Sequence, residues 1–167
     1  MSHTVTITRT TTSNTGTAVL VNTGFLGSTP GLLKLAQLLL GAACVGVVGY
    51  YIDRFTVLLD NQAHLFFLVV AVACLVGTFC LFLSCVISFA TASIISKTIY
   101  EVIYHGLAFI LYLAAGLTLI IKVNEHKNMY KRYGVYEPYL AASIMGLVLA
   151  ALYLLGTVLA NRTYRGI

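Results

Sequence analysis

The chain has 167 residues, of which 59% are hydrophobic and 9% charged, with a net charge of +5. Soluble domains carry roughly a quarter charged residues, so this composition excludes the water-soluble classes and points to a lipid bilayer. The positive balance suits anionic headgroups, and no basic run lies outside the membrane-flanking segments, so nucleic acid is not an expected partner.

Residues 1–29 form a Thr-rich leader around TVTITRTTTSNTGT. The alternation Thr4-Val5-Thr6-Ile7-Thr8 has strand character, but with no partner sheet the leader is expected to be a disordered tether. Its Ser and Thr residues are candidate phosphorylation sites. Thr29 suits a helix N-cap and Pro30 the first helical position. Four long apolar runs follow and predict spans at about residues 31–52, 64–90, 101–122 and 139–160. Each is near the ~20 residues that cross a hydrocarbon core about 30 Å thick. The second is longer than needed and has room to tilt or to continue past the bilayer. The first is too long, and starts too far along the chain, for the apolar part of a signal peptide. The predicted fold is an all-α membrane protein, a four-transmembrane-helix bundle over residues 30–162 with a short tail at 163–167.

Small and polar residues recur at helical spacing within these runs. The first run offers Lys34, Gln37, Gly41 and Cys44; the second Ala73, Gly77, Cys80, Ser84 and Ser88. The third offers Glu101, His105, Ala108, Tyr112 and Ala115; the fourth Ala142, Gly146, Ala150, Tyr153, Thr157 and Ala160. In lipid, close backbone approach and interhelical hydrogen bonds join helices, so these stripes are the expected inner seams. Ala42, Gly46 and Gly49 form a second small face on the first run.

Lys34, Gln37, Glu101 and His105 lie near one end of the predicted bundle. One reading joins them in a polar cluster inside the membrane. The other, favoured because near-interface charges usually reach water, sends Lys34 alone to the headgroups and pairs Glu101 with Lys97 one turn away. In the third loop, Tyr130, Tyr133, Tyr136 and Tyr139 recur every three residues among Lys131, Arg132 and Glu137. An aromatic belt at the headgroups is the expected role, and a recognition surface for another membrane protein the alternative.

Catalytic and ligand-binding patterns are missing. His3, His64, His105 and His126 stand apart, no nucleotide loop or nucleophile elbow occurs, and the carboxylates are dispersed. No enzyme activity, cofactor or metal is expected. Cys44, Cys74, Cys80 and Cys85 all fall in apolar runs, so no loop disulfide is expected. Cys85 is a candidate for palmitoylation if its end of the span faces the cytosol, although a buried small hydrophobe is the commoner role.

Three stretches resemble the MARVEL family of four-span membrane proteins. They are TPGLLKLAQLLLGAACVGV in the first span, YHGLAFILYLAAGL in the third and AASIMGLVLAALYLLGTVLANRTYR in the fourth. The resemblance implies two cytosolic termini, a plasma-membrane or vesicle location, and roles in membrane domains, vesicle trafficking and membrane apposition or fusion at cell contacts. The implied partners are membrane lipids, anionic or cholesterol-rich, other membrane proteins, and further copies of the chain. A channel or transporter subunit is the alternative. A claudin-like junction protein fits poorly, because the first loop is too short and lacks paired cysteines.

Charge counting leaves the orientation open, with five Lys and Arg flanking each side. Tags at each terminus should therefore become accessible to antibody only after the plasma membrane is permeabilised; labelling of intact cells at either end would overturn the family-based orientation.

Overall fold

The computed structural model describes residues 23–55, 62–88, 92, 94–95 and 98–166. The leader ahead of residue 23, with its expected strand character and phosphorylation sites, lies outside the described residues, as does Lys97. Six helices account for nearly all of the rest: α1 (Thr23–Leu26), α2 (Thr29–Phe55), α3 (Gln62–Ile87), α4 (Ile99–Glu125), α5 (Lys127–Arg132) and α6 (Tyr136–Arg165). Four of them, α2, α3, α4 and α6, are long and apolar enough to cross a membrane. At 1.5 Å per residue, the 27 residues of α4 reach about 40 Å, beyond the hydrocarbon core alone.

The start of α2 departs from the sequence reading. Ser28, not Thr29, caps the helix: its hydroxyl accepts the Gly31 amide at 3.2 Å and donates to the Phe25 carbonyl at 2.6 Å. The same turn explains the glycine after Pro30. A Cβ at Gly31 would lie 1.9 Å from the Phe25 carbonyl oxygen, so no larger residue fits where α1 folds back on α2.

The spans run alternately up and down. Lys34 and Glu101, near the starts of α2 and α4, meet at one end. Tyr51 near the end of α2, His64 at the start of α3 and Tyr139 at the start of α6 meet at the other. Helix α2 packs on α3 and α6, α3 packs on α4, and the broadest interface joins α4 to α6. Both the first and the last described residues therefore lie at the Lys34–Glu101 end.

One third of the central part of each of the first three spans, and 39% of the fourth, is buried. The remainder is an outward surface of Leu39, Val69, Ile110 and Leu155, more than half exposed in each case. Hydrocarbon covers such a belt without the cost that water would impose.

The inner seams hold rings as well as small residues. Phe67 on α3 points at Gly146 on α6, where a Cβ would sit 2.5 Å from the ring. Tyr104 on α4 fills the place of a Cβ at Gly77 on α3, at 2.7 Å. Each missing Cβ admits an aromatic knob, which corrects the expectation that these glycines serve close backbone approach. Gly41 is buried beside Leu75 and the Tyr112 hydroxyl, and Ala108, Ala142 and Ala150 are buried as well. The stripe predicted for the second span is not its inner face. Ala73 and Cys80 are exposed and Ser84 is half-buried, its hydroxyl donating to the Cys80 carbonyl at 2.7 Å. The buried face of α3 is instead His64, Phe67, Ala71, Cys74, Thr78, Leu81 and Cys85. Ala42 and Gly46 face outward.

Gly146→Ala should destabilise the bundle by about 1–3 kcal/mol through overpacking against Phe67. The double variant with Phe67→Leu should recover much of that loss in thermal unfolding in detergent; additive losses would show that the ring and the glycine are not coupled.

Candidate functional site

The polar residues inside the spans gather in three places. The first is at the Lys34–Glu101 end. The Lys34 ammonium donates to Glu101 Oε1, with the two residues only 3% and 6% exposed. This corrects the favoured expectation that Lys34 reaches the headgroups alone. It lies in the second turn of α2, its stem is enclosed, and the Phe25 ring stands 5.7 Å from its charge. His105, one turn beyond Glu101 on α4, donates from Nδ1 to the Glu101 backbone carbonyl at 2.8 Å. A carbonyl can only accept, so Nδ1 carries a proton, and in the neutral ring Nε2 is left as an acceptor. The imidazole lies over Gly156 of α6, where a Cβ would come within 2.4 Å of Cδ2. Gln37 is buried nearby but joins α6 instead: its amide nitrogen donates to the Leu152 carbonyl at 3.1 Å. Three of the four proposed members, Lys34, Glu101 and His105, are thus linked directly, while Gln37 ties α2 to the backbone of α6.

A cavity of about 300 Å3 adjoins this cluster, between the starts of α2 and α4 and the ends of α3 and α6. Lys34, Glu101 and His105 form the polar part of its wall, and Cys85 also lines it. Cys85 is 3% exposed, so its thiol lies within the bundle, the placement of a buried small hydrophobe rather than of an exposed palmitoylation site.

The second place is mid-bundle. The Tyr104 hydroxyl donates to the Cys74 carbonyl at 2.8 Å, so its one proton is used. Its 2.8 Å bond with Thr78 is then donated by Thr78, and the Tyr153 hydroxyl donates in turn to Thr78 at 2.7 Å. A directed chain, Tyr153 to Thr78 to Tyr104 to Cys74, links α6, α3 and α4 where water is excluded. Tyr112 stacks on Tyr153 with ring centres 5.6 Å apart.

The third place, at the opposite end, centres on His64, to which the sequence pattern assigns no role. His64 is 2% exposed; its Nε2 is 3.1 Å from the Tyr130 hydroxyl and its ring is 4.4 Å from that of Tyr139. The short helix α5 folds Tyr130 inward to close the bundle, and Gly134, at φ +69°, makes the turn into α6. The tyrosine repeat therefore splits. Tyr130 and Tyr139 are core residues, Tyr133 is 39% exposed, and Tyr136 sits under the Lys127 and Lys131 ammonium groups at 5.7 and 5.5 Å. Neither a belt nor a recognition surface accounts for the two buried rings. A polar residue in an otherwise apolar run is the signal that marks both His64 and Thr78 in the sequence. Among the described residues no cluster of His, Cys, Asp or Glu could hold a metal ion.

Four apolar antiparallel helices with ion-paired and hydrogen-bonded interiors define a multi-pass membrane protein. The membrane-associating MARVEL domain matches residues 25–159, and the chain belongs to that family. It is 29% identical over 150 residues to the protein singles bar of Drosophila melanogaster, covering 87% of this chain and 85% of that one. No solved structure matches it.

Glu101→Gln should leave a buried lysine charge without a partner, at a cost of about 3–5 kcal/mol, whereas Lys97→Gln should cost far less. Adding Lys34→Met to Glu101→Gln should restore most of the stability. Equal, small effects of Glu101→Gln and Lys97→Gln in detergent unfolding would show that the ion pair does not hold α2 to α4.

Proposed function

We propose that the protein is a non-enzymatic organiser of membrane domains, acting in vesicle trafficking or in membrane apposition and fusion at cell contacts. The observation that supports this best is that the polar side chains inside the bundle gather in separate places and, among the described residues, line no continuous passage across it. Leu119, Val123 and Leu149, fully enclosed, separate the mid-bundle hydroxyl chain from His64 at the far end. A channel needs polar side chains along the whole route, which disfavours the transporter reading. Membership of a membrane-associating family supports a role in the membrane.

On this reading both termini face the cytosol, in the plasma membrane, in vesicles or in both. The Lys34–Glu101 end is then cytosolic, and α5 with its Lys127, Lys131 and Arg132 faces outward or into a lumen. Partners are membrane lipids, other membrane proteins that meet the hydrocarbon-facing surface, and further copies of the chain.

Two measurements test the proposal. Reconstituted protein should show no selective conductance; a conductance abolished by Gln37→Leu or His105→Leu would replace it with the channel reading. Proximity labelling from the amino-terminal leader in native cells should mark vesicle and contact-site membrane proteins, and a set of soluble metabolic enzymes would count against it.

A further inference from the structure

The membrane-organising role leaves the cavity beside Lys34 and Glu101 unexplained. We propose that it binds a neutral membrane lipid with a hydroxyl head and a single apolar body. The inference goes beyond the trafficking role and stands or falls separately from it.

The cavity has the walls, and the room for the head and first carbons, of such a molecule, whose remaining chain continues into the bilayer. Its volume of about 300 Å3 is at the lower end of small-molecule sites. Phe25, Pro30, Leu33, Leu159 and Ala160 supply an apolar lining. It also sits at the right depth. Glu101 is in the first turn of α4 and Lys34 in the second turn of α2, near the boundary between hydrocarbon and headgroups. A lipid entering there can leave its head beside these residues and lay its body along the apolar wall.

The polar atoms select the head. Lys34 and Glu101 cancel each other, so the wall carries no net charge from the pair. An anionic head would compete with Glu101 for the lysine, and a cationic head would compete with Lys34 for the carboxylate. Either would leave a buried charge without its partner, which is the costly way to break such a pair. A neutral head escapes that cost. In the neutral ring His105 Nε2 is an acceptor, since Nδ1 then holds the one ring proton, and Glu101 Oε2 has no donor among the described residues. The Lys34 ammonium has three N–H donors and gives one to Glu101. A hydroxyl, able to donate to one of the acceptors and to accept from the ammonium, matches this set. A bare hydrocarbon matches none of it.

The test uses the full chain in nanodiscs of phosphatidylcholine. The probe is a monoacylglycerol with a photoreactive diazirine in its chain, and the competitors are unlabelled monoacylglycerol and lysophosphatidic acid of the same chain length. Labelling should saturate and map to peptides containing Leu33, Leu159 and Ala160. Monoacylglycerol should compete about tenfold better than lysophosphatidic acid, a difference set by the head alone. Ala160→Phe, which fills the cavity, should reduce labelling about tenfold while the helical signal and the melting transition persist. Labelling that never saturates and spreads over the outward helix faces would overturn the proposal, as would equal competition by the two heads. The competition is read on the natural chain, so it decides the matter even if Ala160→Phe does not fold.

Discussion

A lysine ammonium enclosed in a hydrocarbon-bounded bundle persists only if a carboxylate meets it there. Lys34 and Glu101 satisfy each other, and because they stand near the starts of α2 and α4, their meeting sets the relative height of those two helices. A slip of one turn, about 5.4 Å, would leave two buried charges apart. Gln37 adds a second constraint one turn deeper by reaching the backbone of α6. The ion pair and the amide together tie three of the four spans into one register.

The other polar groups obey the same rule, since no water is present in the hydrocarbon to accept or donate on their behalf. The chain from Tyr153 through Thr78 and Tyr104 to the Cys74 carbonyl spends each hydroxyl proton once and fixes α3 between α4 and α6. At the far end, His64 is held between Tyr130 and Tyr139, so the short helix α5 acts as a lid of the bundle and not as a free loop. Polar contacts thus close both ends and the middle, while the outward surface is left to Leu, Val, Ile and Phe.

Packing supplies what hydrogen bonds do not. Phe67 enters at Gly146, Tyr104 at Gly77 and His105 at Gly156, so each ring occupies the space a methyl group would take on the facing helix. In lipid the gain is dispersion and shape, because hydrocarbon tails are as apolar as the rings they replace. The glycines therefore specify which ring goes where, and with it which helices are neighbours. The same packing leaves the Lys34 end less filled, with its cavity bounded by Leu33, Leu159 and Ala160.

Composition and the lengths of the apolar runs determined four crossings by themselves, because hydrophobic thickness is a one-dimensional constraint. Periodicity also placed Lys34, Gln37, Gly41 and Cys44 on one face of α2, and Glu101, His105, Ala108, Tyr112 and Ala115 on one face of α4, and these faces are the enclosed ones. The inner face of α3 was not legible in the same way. Small residues there, Ala73 and Cys80, look outward, and the larger Phe67, Thr78 and Leu81 look inward, because the space they need is provided by residues on other helices such as Gly146. The tertiary structure alone decided that Lys34 pairs with Glu101, that Tyr130 and Tyr139 turn in upon His64, and that Cys85 is enclosed. Each of these depends on a partner far away in the chain. A sequence period records which face a residue shares, whereas only the folded bundle brings that face up against its neighbour.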